Sequence, residues 1–481
     1  MRTLSLLLIL FIILTTVNAQ PPTLWTQTYG EYEDDRGYSV QQTNDGGFII
    51  AGESDSYSSG WFHYDVYLIK TDESGNELWN QTFGGDRDDC GYSVQQTSDD
   101  GYIIVGYNGY TGAWDPDVYL IKTDSSGYEE WNQTFGGAFD DRGYSVQETS
   151  DGGYIVVGFT DVGDYDVYLI KIDASGVEQW NRPIGGSDDD RGYSVQQTSD
   201  SGYIIAGYTM SYGAGEKDVY LVKTDASGSQ QWSQVFGGSD DDYGKSVQQA
   251  SDGGYIIAGY TSSYGAGGSD VYLVKTDEFG IEQWSQTFGG LDSDMGHSVR
   301  QTSDGGYIIA GSTYSFGAAY MNIYLIKTDY SGNQQWSQAL GGQFNDYGEC
   351  VQQTSNGGYI IAGRTESYGA GGTDVWLIHL DSETGVNQLD EPQPLTYYLL
   401  PAYPNPFNPS TVISFELQVA SFVELTIYDI SGSKITSVVN GWRDAGMHEV
   451  TFNGSNLASG VYIYRLKEEE FVASGKMVLM K

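Results

Sequence analysis

The last of seven sequence repeats in this chain lacks the segment with which the first repeat begins. A unit of about 52 residues recurs, and its landmark tryptophans are Trp25, Trp79, Trp131, Trp180, Trp232, Trp284 and Trp336. Each is followed by a segment like GYSVQQTSDGGYIIAG, a variable loop, and a segment like DVYLIKTD. The seventh DVYLIKTD equivalent, residues 374–381, has no tryptophan segment after it. A solenoid would cap its ends, whereas a ring can complete its last unit with the segment that starts at Trp25.

Four short segments in each unit have the composition of β-strands, since Tyr, Val, Ile and Trp favour strands and Gly, Asp and Ser bound them. The YIIAG and VYLI runs are almost continuously apolar, which is typical of strands buried on both faces. We therefore predict an all-β chain with a seven-bladed β-propeller over residues 20–385. Residues 25–29 should be the outermost strand of the last blade.

A tryptophan and a glycine are among the positions that are invariant in all seven units. The tryptophan is expected to pack between blades. A glycine is expected where backbones of packed sheets approach closely, and it occurs as Gly52, Gly106, Gly158, Gly207, Gly259, Gly311 and Gly363.

The segment DVYLIKTD-x-SG-x-x-x-W resembles the repeats of quinoprotein-like propellers, which carry an aspartate, a glycine and a tryptophan at similar spacing. Closure of the ring by an N-terminal strand is similar to that of WD-repeat propellers. These resemblances imply the fold and no particular activity.

Residues 1–19 have the pattern of a signal peptide, with Arg2, an apolar stretch and the small-residue site Val17-Asn18-Ala19. No later run is apolar enough to span a membrane, so we expect no transmembrane segment in the mature chain. The net charge is −43, from 22 Lys+Arg and 65 Asp+Glu. Residues 396–481 hold 6 basic and 8 acidic residues, which leaves 16 and 57, or −41, before them. This acidity argues against nucleic acid and anionic membranes as partners.

Loops on the two faces of the predicted propeller differ. Those between strands one and two and between three and four are uniform, whereas the four-to-one loops are acidic and the two-to-three loops vary in length and are aromatic. Because binding residues concentrate on variable loops of a rigid scaffold, we predict that the second face binds a glycan or a surface protein. Its most aromatic sector comprises Trp61, His63, Tyr64, Tyr110 and Trp114.

One aspartate lies two residues before a glycine in every unit: Asp35, Asp89, Asp141, Asp190, Asp242, Asp294 and Asp346. Oxygen-rich clusters suit calcium, which makes a calcium site one interpretation, although the spacing is not that of an EF-hand. The alternative is that each aspartate accepts backbone N–H bonds where the chain enters the inner strand. No other cofactor is indicated.

The sequence favours binding over catalysis. It contains no HExxH, GxSxG or His/Cys metal spacing, and its four histidines share no motif. A secreted polysaccharide-degrading glycoside hydrolase is the first alternative, because the many Asp and Glu residues leave room for a catalytic carboxyl pair, although the sequence does not identify which two residues would form it. A structural surface protein, whose repeats need only be stable and soluble, is the second alternative.

The two cysteines occupy non-equivalent repeat positions, so no disulfide is expected.

After residue 385 the repeat ends, and prolines mark a linker over residues 386–400. Residues 401–481 resemble the type A C-terminal sorting domain of the type IX secretion system. The resemblance is carried by YPNPFNPST, LTIYDISG, GMHEVTF, LASGVYIYRL and GKMVLMK, and its motif residues are Tyr403, Pro404, Asn405, Pro406, Gly432, Gly460 and Lys476. It implies that this segment folds as an immunoglobulin-like β-sandwich and that the secretion machinery is a partner. It also implies that the protein comes from a bacterium of the Bacteroidetes or a related group and is secreted or attached to the outer-membrane surface.

Overall fold

In the computed structural model, the described residues are 20–58, 63–109, 116–318, 320–383, 398–399, 402, 404–417, 421–430, 433–443, 446–468 and 471–481. The chain divides into two compact units, Met1–Gly385 and Val386–Lys481. The described residues contain strands and turns but no helix, and therefore no helix able to cross a membrane. The predicted signal peptide and most of the predicted linker lie outside the described residues.

Twenty-eight strands of the first unit form seven four-stranded antiparallel sheets. The innermost strands are β2 (Asp35–Gln42), β6 (Asp89–Gln96), β10 (Asp141–Glu148), β14 (Asp190–Gln197), β18 (Asp242–Gln249), β22 (Asp294–Gln301) and β26 (Asp346–Gln353). The second strands are β3 (Phe48–Ser54), β7 (Tyr102–Asn108), β11 (Tyr154–Asp161), β15 (Tyr203–Thr209), β19 (Tyr255–Thr261), β23 (Tyr307–Thr313) and β27 (Tyr359–Thr365). The third are β4 (Asp65–Thr71), β8 (Asp117–Thr123), β12 (Tyr165–Ile172), β16 (Asp218–Thr224), β20 (Asp270–Thr276), β24 (Asn322–Thr328) and β28 (Asp374–Leu380). The outermost are β5 (Glu77–Phe83), β9 (Glu129–Phe135), β13 (Glu178–Ile184), β17 (Gln230–Phe236), β21 (Glu282–Phe288), β25 (Gln334–Leu340) and β1 (Thr23–Tyr29).

The sheets close into a ring, which confirms the predicted propeller. Each innermost strand contacts the innermost strands of its two neighbours, and β26 contacts β2. The N-terminal strand β1 pairs with β28, with Trp25 opposite His379 and Tyr29 opposite Val375. The last blade therefore takes its outer strand from the beginning of the chain, as the offset of the repeats predicts.

The invariant glycine lies at a β-bulge within each blade. Between β2 and β3 the register shifts between Gly37 and Ser39, and the other six blades repeat this shift. A Cβ on Gly52 would lie 1.8 Å from the carbonyl oxygen of Arg36 on the neighbouring strand. The nearest approach is thus inside one sheet, where the bulge brings a carbonyl close to the glycine. Neighbouring sheets also approach closely here, as predicted, since a Cβ on Gly91 would lie 3.2 Å from the Gly52 carbonyl oxygen of the preceding sheet.

The tryptophans pack between blades, as predicted. The Trp79 ring lies 5.9 Å from that of Tyr102 in the next blade, and the equivalent pairs around the ring are 5.8–6.1 Å apart. Inter-blade apolar clusters such as the one containing Ile49, Leu68 and Ile104 form the core between neighbouring sheets.

The second unit contains two sheets. The strands of the first are β29 (Tyr398–Leu399), β30 (Ser410–Leu417) and β33 (Gly446–Asn453). Those of the second are β31 (Ser421–Asp429), β32 (Lys434–Arg443), β34 (Gly460–Glu468) and β35 (Phe471–Leu479). Both sheets contribute to one core, from Ile413 and Phe415 on one side and Leu425, Tyr464 and Leu466 on the other. This arrangement is the β-sandwich that the resemblance to the sorting domain implies.

Candidate functional site

The bulge in each blade holds one residue without a partner on the second strand, and these seven residues surround the axis of the ring. They are Tyr38, Tyr92, Tyr144, Tyr193, Lys245, His297 and Glu349. All seven line one cavity of about 540 Å³ at the centre of the propeller. Bulges commonly re-aim a side chain next to a functional site, and here they turn one residue per blade toward the axis.

Four tyrosines form a continuous aromatic arc on one side of this cavity. The Tyr38 and Tyr92 ring centroids are 5.2 Å apart, those of Tyr92 and Tyr144 4.9 Å, and those of Tyr144 and Tyr193 5.0 Å. Tyr38 also donates its hydroxyl to Glu53 at 2.8 Å. The arc therefore presents adjoining aromatic surfaces held at fixed positions by neighbouring blades.

The other side of the cavity is charged. His297 Nδ1 lies 3.1 Å from Glu349 Oε2 and 3.1 Å from the carbonyl oxygen of Gly348, and Arg364 Nη2 lies 3.8 Å from Glu349 Oε1. Burial by itself would raise the pKa of Glu349. The charge and hydrogen bond of His297, with the charges of Arg364 and Lys245, outweigh it and lower that pKa to about 2.

Lys245 completes the charged sector. Its Nζ lies 3.5 Å from the centroid of the Tyr193 ring and 5.3 Å from that of Tyr243, within the range of a cation–π contact. Burial lowers the pKa of Lys245 to about 8. The side chain is half-buried and lines the cavity.

Below this cavity the channel continues as a polar chamber of about 220 Å³. Its walls carry one serine and one glutamine from most blades, and these side chains bond to the next blade. Gln41 Oε1 accepts the N–H of Gln96 at 2.6 Å, and Ser39 Oγ accepts that of Val94 at 3.2 Å. In the sixth blade Arg300 stands where the other blades have glutamine, and it lines both the chamber and the cavity above it.

The seven aspartates that the sequence analysis singled out do not line the central cavity. Asp35, Asp89, Asp141, Asp190, Asp242, Asp294 and Asp346 are all buried at the beginning of the innermost strands. Each accepts a backbone N–H from the loop before its strand, for example Asp89 from Gly85 at 2.8 Å and Asp190 from Gly186 at 2.8 Å. These are the backbone N–H bonds that the sequence analysis gives as the alternative to calcium binding. Across the described residues no group of three or more His, Cys, Asp or Glu side chains could hold a metal, and calcium binding stays a prediction.

Each of these aspartates except Asp346 faces a second carboxylate from the third strand of the preceding blade. A Cβ on Gly185 would touch both Asp166 Oδ1 and Asp190 Oδ2, and Gly84 lies in the same way between Asp65 and Asp89. Burial is the main cause that raises the pKa of Asp89 to about 7 and that of Asp166 to about 6. The charges of neighbouring carboxylates raise both pKa values further. Between β24 and β26 the facing residue is Asn322.

These raised values predict a protein that is more stable in mild acid. The folded chain keeps protons that the unfolded chain has released, so the free energy of unfolding falls as the pH rises from about 4 to about 7. We expect the melting temperature to be several degrees higher at pH 5 than at pH 8 in calorimetry with enough salt to screen the surface charge. Asp166→Asn, which reproduces the natural Asn322, should reduce this difference. A melting temperature that is unchanged or higher at pH 8 contradicts the prediction.

The predicted aromatic loop sector is described only in part. Trp61, Tyr110 and Trp114 lie outside the described residues. His63 Nδ1 lies 3.6 Å from Asp88, and the Tyr64 ring packs under the Arg36 guanidinium at 5.0 Å. Neither residue lines the central cavity, so their role in binding stays a prediction.

The bulge residues are the candidate site that the sequence analysis missed. The signal was present, because the residue three positions after the invariant aspartate is Tyr in four blades and Lys245, His297 and Glu349 in the others. Departure from an otherwise uniform repeat marks this position.

Cys90 and Cys350 are both free and buried, and Cys350 lies in the channel wall with its Sγ 3.7 Å from the Val40 carbonyl oxygen.

In the second unit, several motif residues hold the last strand in place. Asn405 donates its amide to the Lys476 carbonyl at 3.0 Å and accepts the Val478 N–H at 2.8 Å. Phe407 is buried in the core beside them. Of the other predicted motif residues, Pro404, Pro406 and Gly460 are described, whereas Tyr403 and Gly432 lie outside the described residues.

This segment matches a known family model, described as the secretion system C-terminal sorting domain, over residues 401–480. Residues 401–480 form a sorting domain of this kind. The sorting domain indicates delivery by the type IX secretion system, and the protein is accordingly secreted or attached to the cell surface.

Comparisons over the repeat region are weaker. The chain is 28% identical over 174 residues to a regulatory protein, FlaEY, of Caulobacter vibrioides, and it spans 18% of that relative's length. Among solved structures it is similar to PorZ, a surface component of the type IX secretion system of Porphyromonas gingivalis, at 11% identity and a TM-score of 0.38, covering 94% of this chain and 71% of that one. It is also similar to the β-propeller domain of the Trilobed protease from Pyrococcus furiosus, at 10% identity and a TM-score of 0.41, covering 75% of this chain and 100% of that one. The propeller assignment rests on the sheets of the chain itself.

Proposed function

We propose that this exported protein is a non-catalytic binding module that holds a carbohydrate in the mouth of its central channel. The observation that carries the proposal is the arc of Tyr38, Tyr92, Tyr144 and Tyr193 along a cavity of about 540 Å³. Cavities of that size suit small ligands, and tyrosine rings offer flat apolar faces with a hydroxyl at the edge. The apolar face of a pyranose can stack on such a surface. A concave site of this kind favours a glycan over a protein surface.

The charges in the cavity support binding over glycoside hydrolysis. Glycosidases generally use two carboxyl groups on opposite sides of the scissile bond, one of them protonated. Among the described residues that line the cavity, Glu349 is the one carboxylate. Its lowered pKa keeps it ionised beside His297 and Arg364, which suits a structural anion better than a proton donor.

Replacing one tyrosine of the arc should weaken carbohydrate binding. Tyr144→Ala removes the ring that contacts both Tyr92 and Tyr193. We expect the dissociation constant for the best ligand of a glycan array to rise about tenfold, which corresponds to a loss of about 1.4 kcal/mol. Tyr144→Phe, which keeps the ring, should bind almost normally. Isothermal titration calorimetry on the purified protein measures both.

Tyr330→Ala is the matched control, because Tyr330 is 73% exposed in a turn outside the channel. It should leave affinity unchanged. If no glycan binds the unaltered protein, or if Tyr144→Ala and Tyr330→Ala bind equally well, the channel is not a carbohydrate site. Release of shorter sugars from the bound glycan would instead favour the hydrolase alternative.

A further inference from the structure

Lysines buried between strands of the propeller are paired with acids. The last lysine of each third strand except β28 lies close to an aspartate from the turn between strands one and two. Lys70 Nζ is 2.9 Å from Asp45, Lys223 Nζ 2.9 Å from Asp200, and the other four pairs are 2.8–3.0 Å apart. In the seventh blade both partners change together, to His379 and Asn356. Buried cations in this chain are therefore normally neutralised within the fold.

Two half-buried cations that line the channel have no such partner in the part of the chain that the structure describes. Among the described residues no carboxylate oxygen lies within 4.0 Å of Lys245 Nζ or of the Arg300 guanidinium. Lys245 contacts aromatic rings, and Arg300 donates to the carbonyl oxygen of Val299 at 2.9 Å. Both side chains line the same cavity. In a chain with 65 acidic and 22 basic residues, these two cations could have been paired with acids but face the cavity instead.

The sequence shows that both residues are departures from the repeat. Four blades carry tyrosine where Lys245 stands, and the other six carry glutamine where Arg300 stands. The one carboxylate of the cavity, Glu349, is already engaged by His297 and Arg364. The remaining charge of the site is thus positive, although the surrounding propeller is strongly acidic.

We propose that the channel selects a carboxylated sugar, a uronate, whose carboxylate is bound by Lys245 and Arg300 while its ring stacks on the tyrosine arc. This inference rests on the proposed carbohydrate-binding function and adds the chemical class of the ligand. Charge-assisted hydrogen bonds to lysine and arginine are among the stronger contacts available to a carboxylate. A surface with a net charge of −43 would repel such a ligand elsewhere, so the cationic sector confers specificity.

The test compares tetragalacturonate with its methyl ester, which keeps the sugar rings and removes the charge. Calorimetric titration of the purified protein should give at least tenfold tighter binding of the acid. Arg300→Gln and Lys245→Tyr, which restore the residues that other blades carry, should each weaken binding of the acid about tenfold or more. Each substitution should therefore lower the ratio of acid affinity to ester affinity about tenfold.

Arg182→Gln is the matched control. Arg182 stands on the outer strand β13, where the other six blades carry glutamine, so this variant makes the same change of charge and also restores the repeat. It should bind the acid like the unaltered protein. Equal binding of acid and ester, no binding of the acid, or an equal loss in Arg182→Gln and Arg300→Gln would each overturn the inference. A neutral glycan that binds through Tyr144 would still uphold the proposed function.

Discussion

Deleting residues 20–29 should destabilise the whole propeller rather than one blade. The strand β1 contributes the outer edge of the blade formed by β26, β27 and β28. We expect the melting temperature to fall by at least about 10 °C, with the remaining transition broad and less cooperative in calorimetry. The expected loss is large because a truncated Trp side chain alone costs about 3–5 kcal/mol in a core.

The contacts of β1 explain why the effect should spread. The Trp25 ring lies 5.2 Å from that of His379 in its own blade and 5.8 Å from that of Phe48 in the next. Tyr29 is buried and donates its hydroxyl to the carbonyl oxygen of Gly75 at 2.7 Å. The strand therefore joins the last blade to the first, and without it both lose a packed face.

A rearranged chain provides the control for this deletion. Residues 23–29 placed after residue 385 would follow β28 through an Asp-x-x-x-Gly turn, close to the order found within the other six repeats. This variant should recover most of the lost melting temperature, since the ring needs the strand and not its position in the sequence. If the deletion leaves a sharp transition near the original temperature, ring closure by β1 does not stabilise the propeller.

Deleting residues 401–481 should abolish surface delivery. The sorting domain occupies these residues, and its last strand is fixed to Asn405 and Phe407 near its beginning. In a bacterium with a type IX secretion system, we expect the shortened protein to accumulate in the periplasm, with none accessible to protease added to intact cells. The propeller should remain folded, because the two compact units divide near residue 385.

A reciprocal fusion separates sorting from folding. Residues 386–481 attached to an unrelated exported protein should carry it to the surface. Phe407→Ala in the full chain, which removes a buried ring from the sandwich core, should reduce surface delivery while leaving the propeller intact. Unchanged export of the shortened chain would show that the segment is not needed for sorting.

Much of the architecture could be predicted from the sequence because each blade repeats the same pattern of four strands and turns. Near-continuous apolar runs such as YIIAG predicted strands buried on both faces, and β3 and β4 are buried along their whole length. The offset of Trp25 predicted the pairing of β1 with β28. Seven copies also distinguished positions needed in every blade from those free to vary.

The candidate site could not be predicted from the sequence in the same way. The seven aspartates attracted attention because they are invariant, and they prove to be buried acceptors of backbone N–H bonds. The position that departs from the repeat in Lys245, His297 and Glu349 was overlooked, since nothing in a strand pattern states that this residue forms a bulge. The invariant aspartates serve packing, whereas the departures at the bulge position line the cavity.

The sequence by itself determined the repeat, the strand content, the acidic propeller region, the sorting domain and the closure of the ring. These follow from local composition and from the order of segments along the chain. The tertiary structure decided which side chains meet. A bulge depends on the register between two strands, and the cavity depends on seven bulges from distant parts of the chain converging on one axis. Only the closed ring places Tyr38 of the first blade and Glu349 of the last on adjacent strands of one lining.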